Sequence, residues 1–580
     1  MRKLPYGISN FAEIPKRDYF FADKTPFLAK LEDLGEKYIF FMRPRRFGKS
    51  LWISILQYYY GVQYKERFQE LFGKYYIGKN PTENANSYLI LRFDFSGIDT
   101  STAEKTYLGF LSNVISGVIA FFSDYPVYFS KEQQDYILSQ NSPEMLLKRL
   151  FDTLKGNKEI KPIYLLIDEY DHFANELLAL NLTLFRDIVS KNGWVRKFYE
   201  TIKTATGEGI VERMFVTGVS PATLDSMTSG FNIASNLTRE AHFHEMFGFN
   251  EDEVIDLLEN IGVSEAEMPF VKEQMKVWYD GFKVSKEAKT HIYNPDMVLY
   301  FGKAYSLNGG FPNKMLDDNI ATDYGKIRSI FKIDNQENAR LQVLKDLVEK
   351  GEVVTEIVSR FNFEMEFGQR EFISLLFYMG MLSIESEEFG RTKLRIPNYV
   401  MKELYYQYFW QLLRESQLAP VSLDGVADVV YKLAKYQDIE PLKELINEIL
   451  SEHSTRDKAN FSEKHLKTLF ITLFYISSIY IVDSEPETRQ KYMDVLLLGR
   501  RQYNIPHDFL FELKYVKKPS KKQLLALGGE KIWLEEIRQN TMNQLNMYRN
   551  TPKCQNLDKL RSYILIVVNM KIAIFEEILS

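Results

Sequence analysis

The chain has 580 residues, with 73 Lys and Arg against 78 Asp and Glu (net charge −5) and one cysteine, Cys554. Hydrophobic residues at 45% and charged residues at 26% fit a folded globular protein and exclude a disordered chain, a collagen-like chain and a disulfide scaffold. The length predicts about three or four domains, and the near-neutral balance excludes a globally basic nucleic-acid coat while leaving a local basic groove open.

A lone cysteine cannot form an internal disulfide, so a reducing cytoplasm is the expected compartment. Aromatic residues are abundant, with 42 Phe, 36 Tyr and 5 Trp, implying large apolar cores or surfaces for flat groups. No apolar stretch follows Met1–Gly7, so no secretory leader is expected. The most apolar long run, 466–482, is broken by Lys467, Thr468, Thr472, Ser477 and Ser478. It reads as a buried helix running into a strand, and no membrane partner is expected.

In chain order, apolar runs of strand length lie at 38–42, 88–95, 163–167 and 214–216, with helical patterns such as 49–60 and 105–122 between them. Strands joined by helical crossovers predict a parallel sheet covered by helices. Arg43-Pro44-Arg45-Arg46-Phe47-Gly48-Lys49-Ser50 sits between the first strand and its helix, the context a phosphate loop requires. Gly48 would let the backbone approach a phosphate, Lys49 would contact the β- and γ-phosphates, and the Ser50 hydroxyl would bind Mg²⁺. Arg43 replaces the first glycine of the pattern and Pro44 removes an amide donor; Arg45 and Arg46 can compensate as cationic phosphate ligands. A basic turn before a helix is the plainer alternative.

Asp168 and Glu169 close the apolar run 163–167. Asp168 would hold the water shell of Mg²⁺ and Glu169 would orient an attacking water; helix capping by Asp168 is the alternative. Thr217, ending the next strand, is a candidate γ-phosphate sensor or a structural threonine.

From 251 to 301 the pattern is mostly helical, with Asn294 as a cap and Pro295 in the first turn of a helix. A further helical section spans 337–378, followed by strands at 381–385 and 393–396 around Glu388-Phe389-Gly390. A small winged-helix-like unit or a helical linker with a hairpin both fit.

The last 120 residues read α-β-β-β-α-β. Period-two alternation puts Glu512 and Lys514 on one strand face, opposite Phe511, Leu513 and Tyr515. Asp494 is a charge in an otherwise apolar strand; a hairpin through 499–506 would let Asp494 and Glu512 converge on one Mg²⁺, with Lys514 positioning water or stabilising a scissile phosphate. This is the D…(D/E)xK arrangement of a metal-dependent nuclease, although ExK also occurs on solvated strand faces. Glu463 on the preceding helix is a further candidate carboxylate. Gln544 and Tyr548 lie one turn apart on the following helix, and Lys517, Lys518, Lys521 and Lys522 form a basic run suited to phosphates or simply to solvent.

These motifs resemble the bacterial AAA-ATPase-like proteins that carry a C-terminal PD-(D/E)xK nuclease-superfamily domain. The likeness rests on 4–8, 21–25, the loop RPRRFGKS, 167–171, 217–220, 278–282, 293–295 and 394–398, and on Glu512-Leu513-Lys514 with Gln544 and Tyr548. The Gly-Arg pair usual before the strand aspartate is missing, since the chain reads Gln490-Lys491-Tyr492-Met493-Asp494.

The resemblance implies an α/β chain: a P-loop NTPase domain (1–245), a helical extension (246–335), a helical or winged-helix-like linker (336–450) and a restriction-endonuclease-like α/β domain (451–580). It implies ATP and Mg²⁺ as cofactors, and nucleic acid, DNA ahead of RNA, as partner. A ring-forming assembly would need an arginine from a neighbouring copy; Arg239 is one candidate, and a homo-oligomer stays open. The expected activity is ATP-controlled, Mg²⁺-dependent cleavage of DNA. The alternative is an ATP-driven switch whose C-terminal domain binds DNA or protein without cutting.

Overall fold

The computed structural model describes residues 1–155, 160–180, 182–189, 193–221, 233–325, 337–361, 367–415, 419–452, 461–484 and 495–579. The chain divides into two compact units, Met1–Val343 with Glu352–Tyr399, and Leu344–Gly351 with Val400–Ser580.

The first unit is built on five parallel strands: β1 (Tyr38–Met42), β2 (Leu89–Asp94), β3 (Ile163–Asp168), β4 (Val211–Gly218) and β5 (Ser235–Asn236), in the order β2-β3-β4-β1-β5. Every residue of β3 is buried, as a parallel strand covered on both faces must be. The crossovers include α1 (Lys49–Tyr60), α2 (Ala103–Asp124) and α3 (Trp194–Gly207). By length and composition α2 could cross a membrane, yet its Phe110, Val114, Val118 and Phe121 stripe is buried, and Phe110 stacks on Phe95 at 4.3 Å. Strand β4 separates β1 from β3, with Phe41 opposite Thr217 and Ile167 opposite Val216. Thr217 therefore stands between the phosphate-loop strand and the acidic strand.

Helices α4 (Glu251–Asn260), α5 (Met268–Tyr279) and α6 (Pro295–Asn308) follow. The Asn294 side chain accepts from the amides of Asp296 and Met297, as its position before Pro295 predicts. Beyond them, β6 (Glu352–Thr355), α7 (Gln369–Tyr378), β7 (Ser383–Glu388) and β8 (Arg391–Arg395) form a three-stranded antiparallel unit in the order β6-β8-β7.

The helical section expected over 337–378 is thus interrupted by a strand. The run Val353-Val354-Thr355 is β-branched but short, and only pairing with β8 makes it a strand. Phe372–Tyr378 of α7 are all buried, so most of that helix contributes to the core. Gly281 has φ +101, and a Cβ there would come within 2.0 Å of the Pro397 carbonyl oxygen. That approach brings the 278–282 and 394–398 motifs together in the fold, and Trp278 packs beside them on Tyr399 at 4.5 Å.

The second unit contains α8 (Tyr399–Glu415, beginning at the division), α9 (Leu423–Tyr436), α10 (Glu440–Glu452) and α11 (Glu463–Ser477). They lead into β9 (Tyr480–Asp483), β10 (Val495–Gly499), β11 (Asp508–Val516), α12 (Glu530–Arg549), β12 (Leu560–Val568) and β13 (Lys571–Glu577). The sheet order is β13-β12-β11-β10-β9. Only β11 and β12 run parallel, because α12 carries the chain across between them.

Phe509 and Phe511 face α11, with Phe470 at 4.9 Å from Phe511. Leu496, Leu510, Ile564 and Ile566 pack with Leu545 and Tyr548 of α12 on the other face. Strand β13 was not foreseen. It returns through Asn569 and Met570, both at positive φ, a turn that Asn-Gly would have announced and Asn-Met does not.

Between β10 and α8 lies a buried ion pair, Arg500 with Glu403, which also accepts from the Ser478 hydroxyl at 3.2 Å. Replacing Arg500 by Met leaves a buried carboxylate without its cation. The expected result is a loss of about 3–5 kcal/mol, read by denaturant unfolding, with Glu403→Gln/Arg500→Met recovering part of it.

Candidate functional site

The phosphate loop joins β1 to α1. Gly48 has φ +85 with open space where a Cβ would lie, so its backbone conformation is what favours glycine. Arg43 is 1% exposed. Its guanidinium donates to the carbonyl oxygens of Met42 (3.0 Å), Thr238 (2.8 Å), Phe243 (3.2 Å) and His244 (3.4 Å) and lies over the Phe41 ring. Its amide donates to Gly218 at 3.1 Å. Where the glycine pattern would put a phosphate contact, this chain puts a pin between the loop root, β4 and residues 238–244.

Lys49 is buried; its Nζ donates to the Pro44 carbonyl at 3.1 Å and lies 4.0 Å from Glu169. Thr217 Oγ1 donates to Asp168 Oδ1 at 2.7 Å, and the Ser50 hydroxyl hydrogen-bonds the same carboxylate. Burial raises the Asp168 pKa, and these two hydroxyls oppose the rise. Asp168 Oδ2 is buried with no hydrogen bond among the described residues, and Arg92 lies 4.0 Å from it. A hydroxyl and an unsatisfied carboxylate oxygen are the donors a hard divalent cation takes, so these residues fit Mg²⁺.

Asp171 accepts from the amides of Val219 (3.0 Å) and Ser220 (2.6 Å). A Cβ on Gly218 would fall 2.3 Å from Asp171 and from Tyr170. The 167–171 and 217–220 motifs therefore lock each other together.

Over the loop lies a cavity of about 480 Å³. Arg45, Arg46, Gly48, Lys49 and Ser50 line one side and Asp94, Glu169 and His172 another; Pro5, Ile8, Phe20, Phe21, Phe247 and Phe249 supply an apolar wall, and Pro295, Asp296 and Leu299 of α6 complete it. Asp168 and Thr217 are fully buried and contact each other instead of lining it. Thr217 is thus placed on the acidic strand's carboxylate and not at the cavity wall.

Asp94 was missed, although it closes β2 as Asp168 closes β3, in register with it. Asp296 and His172 carried no sequence signal, since each opens an ordinary helix. Arg239 pairs within the chain with Glu387 at 3.0 Å.

In the second unit, Glu512 is buried in the middle of β11. Period two places it with Lys514 on the face carrying Leu510, which packs with Leu545 and Tyr548. Lys514 pairs with Glu463 at 3.0 Å, and Glu463 also accepts the Tyr515 amide at 3.3 Å. Gln544 donates to the Tyr548 hydroxyl at 3.2 Å. Lys517, Lys518, Lys521 and Lys522 are exposed, with Lys518 paired to Glu530.

Asp494 lies outside the described residues. Its neighbour Val495 is paired with Phe511, the neighbour of Glu512, and the expected hairpin between β10 and β11 is present. Among the described residues no three His, Cys, Asp or Glu side chains are grouped to hold a metal.

A parallel sheet bearing a phosphate-loop motif, followed by a mixed sheet with an ExK strand, defines a two-module α/β protein. Residues 5–228 match the family model "Predicted AAA-ATPase", and residues 461–577 match "PD-(D/E)XK nuclease superfamily". The chain combines an AAA-ATPase-like domain with a C-terminal PD-(D/E)XK nuclease-superfamily domain. It is 24% identical over 562 residues to an uncharacterized protein in the vnfD 5′ region of Azotobacter chroococcum mcd 1, covering 93% of this chain and 94% of that one. A Walker-type ATPase of Pyrococcus abyssi is 14% identical, with a TM-score of 0.37 over 70% of this chain and 97% of that chain.

Restoring the missing glycine should harm the protein. Arg43→Gly is expected to destabilise it by about 3 kcal/mol in chemical denaturation, because charged hydrogen bonds are lost and buried carbonyls are left unpaired; an unchanged midpoint would refute the pin. The same region sets an acid limit. Burial, reinforced by Arg43, pushes the His244 imidazole from 6.5 down to about 3. The unfolded chain therefore takes up a proton there first, and stability present above pH 6.5 is lost as pH falls toward 3, by about 2 kcal/mol at pH 5. Thermal unfolding of wild type and His244→Gln across pH 5–7.5 checks it: the variant should show the shallower pH dependence.

Proposed function

We propose that the protein is an ATP-binding, ATP-hydrolysing chain whose C-terminal domain cleaves DNA under nucleotide control. The observation that carries the nucleotide half is the cavity over Arg45–Ser50, walled by Glu169 and by aromatic side chains. Lys49, Arg45 and Arg46 would neutralise phosphate charge, and the α1 N-terminus adds its amides. Glu169, held at φ 52 after Asp168, would orient the attacking water. Mg²⁺ at Ser50, with Asp168 behind its water shell, would neutralise the β- and γ-phosphate oxygens.

For the nuclease half, the support is a buried carboxylate, Glu512, two residues from Lys514 on one strand face. Glu512 and Asp494 would hold Mg²⁺, which there would polarise a phosphodiester oxygen. Lys514, steered by Glu463, would stabilise charge on the scissile phosphate. Gln544 would orient the substrate backbone, and Lys517, Lys521 and Lys522 would hold flanking phosphates.

The Lys514–Glu463 pair also favours a second reading, in which the lysine is structural and the domain binds DNA or a protein partner without cutting as ATP switches the first unit.

Plasmid and linear DNA incubated with the full chain, Mg²⁺ and ATP separate the two. Cleavage is expected, falling about 100-fold or more in Asp494→Ala and Glu512→Gln, while Lys49→Ala abolishes ATP binding and the ATP effect on cleavage. No cleavage by wild type, with nucleotide binding intact, overturns the nuclease and leaves the switch.

A further inference from the structure

Nothing in the loop motif accounts for a carboxylate from α6 in the lining of the nucleotide cavity. Asp296 lies in the first turn of α6 and is 7% exposed. Its Oδ2 is 3.5 Å from Arg46 NH1. Arg46 belongs to the phosphate loop, holds a left-handed backbone (φ 67) and keeps a partly exposed guanidinium at the cavity wall.

Two facts make this pair unusual. Asn294 already accepts from the first amides of α6, so this helix end offers its capped amides to Asn294 rather than to an incoming anion. Asp296 would moreover repel a polyphosphate unless a cation stands between them. Arginine can do this because its planar fork presents one edge to a carboxylate and another to a phosphate; lysine has no such second edge.

We infer that Asp296 is a positioning residue: it holds Arg46 at the cavity wall so that the guanidinium contacts the terminal phosphate, making the chain prefer ATP to ADP. The inference rests on the ATP-binding reading above and adds how that site counts phosphates. A triphosphate brings one more negative charge than a diphosphate, so a correctly held guanidinium favours it more.

The test uses the full-length protein with Mg²⁺-ATP and Mg²⁺-ADP in calorimetric titrations, for wild type, Asp296→Asn, Arg46→Ala and the double variant, with thermal unfolding of each as a fold control. Each single variant should lower the ATP-to-ADP affinity ratio about tenfold, and the double variant should match Arg46→Ala alone, because Asp296 acts through Arg46. Asp296→Glu, which keeps the charge, should retain most of the ratio and serves where Asp296→Asn folds poorly. A wild-type ratio in Asp296→Asn, or single effects that simply add, overturns the inference while leaving ATP binding intact. If wild type binds neither nucleotide, the ATP reading falls and this inference with it.

Discussion

A guanidinium taken out of water must find acceptors, and Arg43 finds four carbonyl oxygens from both sides of the phosphate loop's root. Without such compensation, burial of a charge costs several kcal/mol. With it, the charge fixes the geometry: β1 and residues 238–244 are tied to one planar group, while the Arg43 amide ties the end of β4. The cavity above the loop depends on that tie, because residues 246–249 of its wall follow directly from the segment Arg43 holds.

The same economy of buried polar groups runs through the rest of the first unit. Asp171 satisfies two amides beyond β4, Thr217 donates to one oxygen of Asp168, and Lys24 donates to Glu253 at 2.6 Å and to the Glu245 carbonyl. The polar residues around the loop and the strand ends thus split into two groups. Arg43, Asp171 and Thr217 are spent on the framework, while Lys49, Arg46, Glu169 and Asp94 are left facing the cavity. In the second unit the strand period does the sorting. Aromatic residues of β11 meet α11, and Glu512 and Lys514 share the face that packs on α12.

Much of this was legible in the sequence. The run 38–42 became β1 without change, 49–60 became α1, and Asn294 with Pro295 opened α6, since each depends on local pattern and capping alone. The acidic end of β3 and the face shared by Glu512 and Lys514 followed from strand period. Strand β6 and strand β13 were not legible, because one exists only through its pairing with β8 and the other turns on an Asn-Met pair without glycine. The cavity wall from 5–8, 20–21 and 295–299 was equally hidden, being assembled from segments hundreds of residues apart.

By itself the sequence determined the identity of the loop, the acidic strand end and the ExK strand, because chemistry and short periodicity are written in consecutive residues. Tertiary structure alone decided that Arg43 is a pin, that Thr217 serves Asp168, and that Asp296 meets Arg46. Each of those outcomes depends on which distant backbone or side chain comes within hydrogen-bonding or ion-pairing distance, and no local pattern encodes that proximity.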